Sequence, residues 1–442
     1  MKFRGVFMDK AKNLAEIRRT CANYALDRDE LTHFYVDTSK ARGVDMLTRL
    51  TKHFDYVPNI YQQVLYLGHR GSGKSTILYQ LEQKLNSVYE IIRYSVQEML
   101  DIKNLTLVDL LFSMYERIFF IYANIIKDDD SDYEIINTIY EKWYSATKIE
   151  EETHKKSTIS VDFGGEVKPS IKIAKLFAKL NTAFRFNTSE KEIVLTNVKN
   201  SIPDYILYLN ELIELISKKV GKPLLFMFED LEKISRPSAE TLFLDQAKYI
   251  PMIKAHMLLT TPIYFKYSME FRRDTMQYFP DTERCPMISL TDAQKNKNEY
   301  GYKTMKDIVY ARVQENLIDE DTLELAITYS GGVIRDLFAI IREASLSSEI
   351  NGKLNISKED IENAFVTFQE TFSDIVHDVH IPVIENVYQN PQGPICTSDL
   401  LIELMCAEVI IEYNGEQWRG VHPAVSAYLE KRGILNCKKE DK

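Results

Sequence analysis

The 442-residue chain is poor in the residues that define several protein classes. It has five cysteines, an odd number, scattered at 21, 285, 396, 406 and 437 with no C-x-x-C pair. That excludes a disulfide framework, argues against a zinc site and points to reduced thiols in a cytoplasm. No stretch approaches the ~20 uninterrupted apolar residues of a membrane helix, and charges interrupt the first ten residues where a secretory apolar core would lie. Positive charge is also short: 55 Lys and Arg stand against 65 Asp and Glu, a net −10. Any nucleic-acid contact therefore needs a local basic patch.

What is present is a phosphate-binding loop. Gly68-His69-Arg70-Gly71-Ser72-Gly73-Lys74-Ser75 matches G-x-x-x-x-G-K-[ST] at every defined position. The apolar run Gln63 to Leu67 reads as a strand entering it, and Thr76 to Leu81 opens a helix. Glycines let the backbone curl so that its N–H groups face a polyphosphate. Lys74 reaches the β/γ-phosphates, Ser75 ligates Mg²⁺, and the helix N-terminus favours an anion. ATP and Mg²⁺ are the expected cofactors, with residues 68–76 binding the nucleotide.

Further short apolar runs follow at Tyr89–Tyr94, Pro223–Phe228, Ala255–Thr261 and Pro286–Leu290, separated by helical stretches. This rhythm predicts a doubly wound α/β fold with parallel strands buried on both faces. The run at 223–228 ends in Glu229-Asp230-Leu231-Glu232-Lys233. A carboxylate at such a strand tip can hold the waters of a magnesium ion, and its neighbour can polarise an attacking water. After the last strand, helical spacing over Met305–Leu317 and Asp321–Thr328 leads to a Gly331-Gly332 break. A new helix over Val333–Ile350 and a capped one from Ser357 follow.

Between the second and third strands lies an insertion, about 128–200. It holds an acidic start, a β-like patch at Ser157–Val167, and an amphipathic helix with Ile173, Leu176, Phe177, Leu180 and Phe184 on one face. Residues 155–185 carry seven basic and two acidic side chains, a local +5. That is enough for weak nucleic-acid contact, an acidic partner or a solvated face. The last ~60 residues read as a small winged-helix-like unit. A helix capped by Thr397-Ser398 comes first, then a hairpin turning on Asn414-Gly415, and a final helix after His422-Pro423. Six basic and nine acidic residues from 381 to 442 make it a weak phosphate binder and a better protein-contact surface. His422 reads as structural.

The phosphate loop, the acidic strand end, Thr260-Thr261 and Ser330-Gly-Gly-Val-Ile-Arg335-Asp-Leu together resemble the AAA+ and STAND classes of P-loop ATPases. The likeness is to bacterial STAND-like ATPases and, more distantly, to origin-recognition-type AAA+ proteins, over about residues 60–350. It implies four regions: a lead segment (1–60), a P-loop core (61–290), a helical lid (291–370) and the winged-helix-like unit (371–442). By the resemblance Thr260 or Thr261 senses the γ-phosphate and Arg335 is a lid arginine that reaches it. The segment Phe34–Gly43 lies on the adenine side, and Arg272 or Arg273 completes a neighbour's site in an ATP-dependent homo-oligomer. Glu229 stands where the family has Asp, with Asp230 in the place of the catalytic acid, which implies slow hydrolysis. The expected catalytic set is Lys74, Glu229, Asp230, Thr261 and Arg335, with Ser75 and Glu229 serving Mg²⁺. The resulting expectation is a cytoplasmic ATP-driven switch acting through a protein partner, in the manner of a bacterial anti-phage defence or stress-response ATPase. A DNA-remodelling AAA+ protein and a nucleotide-bound scaffold with little turnover are the alternatives.

Overall fold

In the computed structural model, the described residues are 9–435 without 25, 27, 56, 58–59, 123–124, 127–129, 149–168, 187, 395–397 and 414–417. The β-like patch at 157–167, the Thr397 cap and the Asn414-Gly415 turn lie outside them. Five strands form one sheet: β1 (Gln63–Gly68), β2 (Glu90–Ser95), β3 (Leu224–Glu229), β4 (His256–Thr261) and β5 (Thr282–Cys285), in the order β2-β3-β4-β1-β5. β2 runs parallel to β3, and β3 to β4. Every residue of β1, β3 and β4 is buried, which is why these strands read as unbroken apolar runs instead of alternating ones. This is an α/β P-loop fold with a helical C-terminal part.

The chain divides into two compact units. One comprises residues 51–66 and 84–283: the sheet strands up to Glu283 and the helices inserted between β2 and β3. Its insertion is a bundle of Leu107–Tyr122, Asp130–Ala146, Pro169–Phe186, Ser189–Lys199 and Ile202–Val220. Ile173, Leu176, Phe177, Leu180 and Phe184 are all buried. Phe184 stacks on Phe112 at 4.3 Å between centroids, and Trp143 meets Phe112, Tyr115 and Phe177 edge-on. The other unit gathers residues 1–50, 67–83 and 284–442, so the phosphate loop belongs with the N-terminal helices, the lid and the C-terminal elements.

Two expected elements are corrected. The fifth strand is Thr282–Cys285, not Pro286–Leu290. The later run is buried, but its backbone lies against glycines of the lid: a Cβ on Gly332 would stand 1.9 Å from the Ile288 carbonyl oxygen, and one on Gly301 2.0 Å from that of Ser289. Gly332 and Gly301 allow that close approach of backbones, and Met287 is covered by Val333, Ile411, Tyr413 and Trp418. The lid helix expected over 305–317 is Glu299–Tyr310, started by Asn298, whose side chain accepts from the Gly301 N–H. It stops because the chain at 312–314 pairs instead with Ala11: the Ala11 N–H donates to Arg312 O at 2.7 Å, and the Gln314 N–H to Ala11 O at 3.1 Å. The helices that follow are Glu320–Ser330, Ile334–Ile350 and Lys358–Ser373. At the C-terminal end, helices Asp399–Cys406 and Pro423–Lys431 flank the antiparallel strands β6 (Ile410–Glu412) and β7 (Arg419–Val421).

The insertion bundle contains a fully buried ion pair. Lys191 Nζ is 2.6 Å from Asp109 Oδ1, both side chains being 0% exposed. Lys191 also donates to Asn104 O, and the other Asp109 oxygen accepts from the Thr106 N–H and hydroxyl. Removing one member strands a charge in the core, which costs about 3–5 kcal/mol, whereas removing both is close to neutral. Lys191→Met is therefore expected to lose about that much in chemical denaturation. The double variant Lys191→Met/Asp109→Leu is expected to recover most of it.

Candidate nucleotide site

The loop after β1 is built by two left-handed glycines, Gly71 at φ 68° and Gly73 at φ 86°. Any other residue is strained there. The helix Lys74–Leu85 starts at the lysine itself, whose ammonium donates to the carbonyls of Gly68 at 3.1 Å and His69 at 2.7 Å. Lys74 is thus buried within its own loop. The Ser72 hydroxyl is also buried and makes no hydrogen bond to protein. An unsatisfied hydroxyl, a buried cation and a helix N-terminus on one curled loop are the donor set a polyphosphate requires, and the residues present fit that group.

A buried arginine that sequence reasoning did not single out shapes the loop. Arg42 closes the short helix Ser39–Arg42, inside the segment expected on the adenine side. Its guanidinium donates to the carbonyls of Ser72 and Pro286 and, through Nε, to the Thr38 hydroxyl at 2.8 Å. In a planar trans peptide the Gly73 N–H points opposite to the Ser72 carbonyl. Holding that carbonyl from outside therefore turns the N–H inward.

Arg335 sits in the first turn of the helix Ile334–Ile350, and its Cβ lies 3.1 Å from where a Cβ on Gly71 would stand. Arg335 and the phosphate loop are thus neighbours. Its guanidinium is ion-paired with Glu408 and, at 3.1 Å, with Asp336. Asp336 in turn faces the His422 ring at 3.3 Å. His422 also caps the last helix, accepting from the Ala424 N–H at 3.1 Å, so it holds structure together.

His69 and Tyr413 add two further ties. His69 Nε2 accepts from the Glu412 backbone N–H at 2.9 Å, linking the phosphate loop to β6. The Tyr413 hydroxyl donates to Gly331 O at 2.7 Å. Met287, Val333, Ile411, Tyr413 and Trp418 form one apolar cluster. The C-terminal hairpin is thereby fastened both to the loop and to the turn that carries Arg335.

The acidic strand end lies in the sheet unit. Glu229 is buried and takes two N–H donors from Arg93, Nε at 2.8 Å. Asp230 is one of three described non-glycine residues with positive φ, at 69°. Its carboxylate accepts from the Ser95 hydroxyl at 2.6 Å and pairs with Lys233 at 2.7 Å. Such backbone strain is typical of functional sites. The Thr260 hydroxyl accepts from the Leu231 N–H at 3.1 Å and donates to Phe228 O, bracing this turn. Thr261 is buried and donates to Leu259 O. Arg272 and Arg273 are exposed, and Arg273 pairs with adjacent Asp274. Among the described residues no cluster of three or more His, Cys, Asp or Glu could hold a metal ion, and no helix is long and apolar enough to cross a membrane.

Neither family models nor curated proteins match the chain. Solved structures do. A Walker-type ATPase of Pyrococcus abyssi is 13% identical, over 93% of this chain and 99% of its own, with a TM-score of 0.42. Cdc6p of Pyrobaculum aerophilum is 11% identical over 95% and 99%, with a TM-score of 0.39. The ORC2 protein of Aeropyrum pernix in its ADP form is 9% identical over 95% and 99%, with a TM-score of 0.43.

The His69 ring must stay neutral, because Nε2 accepts a hydrogen bond. Burial, with the Lys74 charge beside it, lowers its pKa to about 3. The unfolded histidine takes up a proton near 6.5 and the folded one does not, so stability falls as pH drops below 6.5, by up to ~1.4 kcal/mol per pH unit. Glu408 acts with opposite sign: burial pushes its carboxyl up to about 7, so it favours the folded state on acidification across 7 to 4.5. The difference between the parent and His69→Gln isolates the imidazole. The variant is expected to lose less melting temperature than the parent between pH 7 and pH 5.

Proposed function

We propose that this chain is an ATP-binding and slowly ATP-hydrolysing switch that passes its nucleotide state to a protein partner through its C-terminal unit. The observation that carries this reading is the phosphate loop itself, curled by Gly71 and Gly73 around Lys74 with Arg335 beside it. Bound Mg²⁺ would supply charge neutralisation for phosphoryl transfer. Backbone N–H groups of residues 69–76 and the Lys74 ammonium hold the phosphates, and Ser75 offers its hydroxyl to the metal. The resemblance assigns Glu229 to the metal's waters, Asp230 to the attacking water and Thr261 to the terminal phosphate. Arg335 supplies the lid's cation. Phosphoryl transfer asks mainly for positioning and charge stabilisation, so this short set is sufficient.

The ties from the loop to β6, and from Arg335 to Glu408, favour the C-terminal unit as the reporter. Such a device suits a bacterial anti-phage defence or stress-response system in which a second protein reads that unit.

Lys74→Ala is expected to weaken ATP by more than about tenfold, or ~1.4 kcal/mol. Asp230→Asn is expected to keep ATP affinity while slowing steady-state turnover by about 10²–10⁴. Calorimetry showing parental affinity in Lys74→Ala would refute the nucleotide reading, and undiminished turnover in Asp230→Asn would reject the assigned acid.

Arg272 and Arg273 are exposed, as arginines that serve a second copy must be. Sedimentation is expected to show self-association promoted by a slowly hydrolysed ATP analogue and reduced in Arg272→Ala/Arg273→Ala. An unchanged monomer under both conditions removes the oligomer from this reading.

A further inference from the structure

Three features meet at Glu408. Its backbone is left-handed at φ 59°, a conformation that costs a non-glycine residue energy unless the surroundings impose it. The side chain is 3% exposed. One carboxylate oxygen, Oε2, is taken by Arg335, while Oε1 is buried without any hydrogen-bond partner. The left-handed backbone closes the helix Asp399–Cys406, with the Glu408 N–H donating to Met405 O and the Val409 N–H to Leu404 O. That closure does not call for a buried anion with one oxygen unsatisfied, which is destabilising by itself.

Its surroundings do. Arg335 flanks Gly71 of the phosphate loop, and Arg70 of the same loop adds a favourable field at Glu408. Glu408 therefore places an anion among cations that belong to the nucleotide side. We propose that Glu408 sets the preference between ATP and ADP, by holding Arg335 in competition with the terminal phosphate. The proposal rests on Arg335 being the cation for that phosphate. In the nucleoside diphosphate state Arg335 stays on Glu408. With a triphosphate, Arg335 exchanges one anion for another and leaves Glu408 without its partner.

Two consequences follow from the chain's own connectivity. Glu408 lies two residues before β6, so losing its tie to Arg335 removes one of the contacts that fasten the hairpin. Its carboxyl, already pushed up to about 7 by burial, can accept a proton once the guanidinium leaves, which spares the interior a lone charge. The tie between His69 and the Glu412 N–H is untouched by this exchange, so the segment loosens without leaving the loop.

Glu408→Gln keeps the shape and removes the charge. Affinities of ATPγS and ADP are measured by calorimetry on the parent, Glu408→Gln, Arg335→Ala and the double variant. A coupling of the usual size makes Glu408→Gln bind ATPγS about tenfold more tightly, with ADP changed less than about twofold. In the Arg335→Ala background, Glu408→Gln is expected to change neither ligand. Equal effects on both nucleotides, weaker ATPγS binding, or the same gain without Arg335 would overturn the proposal. Hydrogen exchange supplies a second readout: ATPγS, and not ADP, is expected to raise exchange over residues 399–412 in the parent. Unchanged exchange there overturns the release step. The underlying reading fails separately, and is recognised by a parent that binds neither nucleotide or by an Arg335→Ala protein with the parent's ATP preference.

Discussion

A guanidinium withdrawn from water must keep an anion beside it. Around Arg335 this single requirement organises the end of the phosphate-loop unit. Glu408 and Asp336 supply the anions, His422 supports Asp336 from the other side, and the same histidine caps the final helix. The hairpin that delivers Glu408 is held in turn by Tyr413 on Gly331 and by the Glu412 N–H on His69. Remove the arginine and the buried carboxylates of Glu408 and Asp336 lose the cation between them.

The other unit meets the same requirement with two ion pairs of its own. Lys191 and Asp109 neutralise one another in a core of stacked aromatics, and Arg93 and Glu229 do so at the tip of β3. The first pair is sealed at 0% exposure; the second has side chains 14% and 9% exposed.

The phosphate loop was legible in the sequence because its eight residues are contiguous and its glycine positions are dictated by backbone conformation. The apolar strands β1, β3 and β4 were legible for a similar reason, since burial on both faces leaves an unbroken run. The fifth strand was misplaced because apolarity reports burial and not hydrogen-bond partners. Residues 287–290 are buried against Gly301 and Gly332 and against side chains of the C-terminal hairpin, contacts with no local signature. Glu408 was not legible at all. Its partner is 73 residues away, and an acid at the end of an amphipathic helix reads as solvated. Arg42 and Arg93 lay within quoted segments, yet only the fold reveals that one grips Ser72 and the other Glu229.

The partition of the chain bears on the order in which the protein can be completed. The sheet unit ends at Glu283, so its strands and inserted bundle are all available once that residue has been synthesised. The phosphate loop belongs to the other unit, and His69 waits for a hydrogen-bond donor 343 residues further on. Domains fold as units while a chain emerges from the ribosome. During translation, then, the loop is made early and finished last, and a chain still being synthesised carries its phosphate-binding motif without the groups that clasp it.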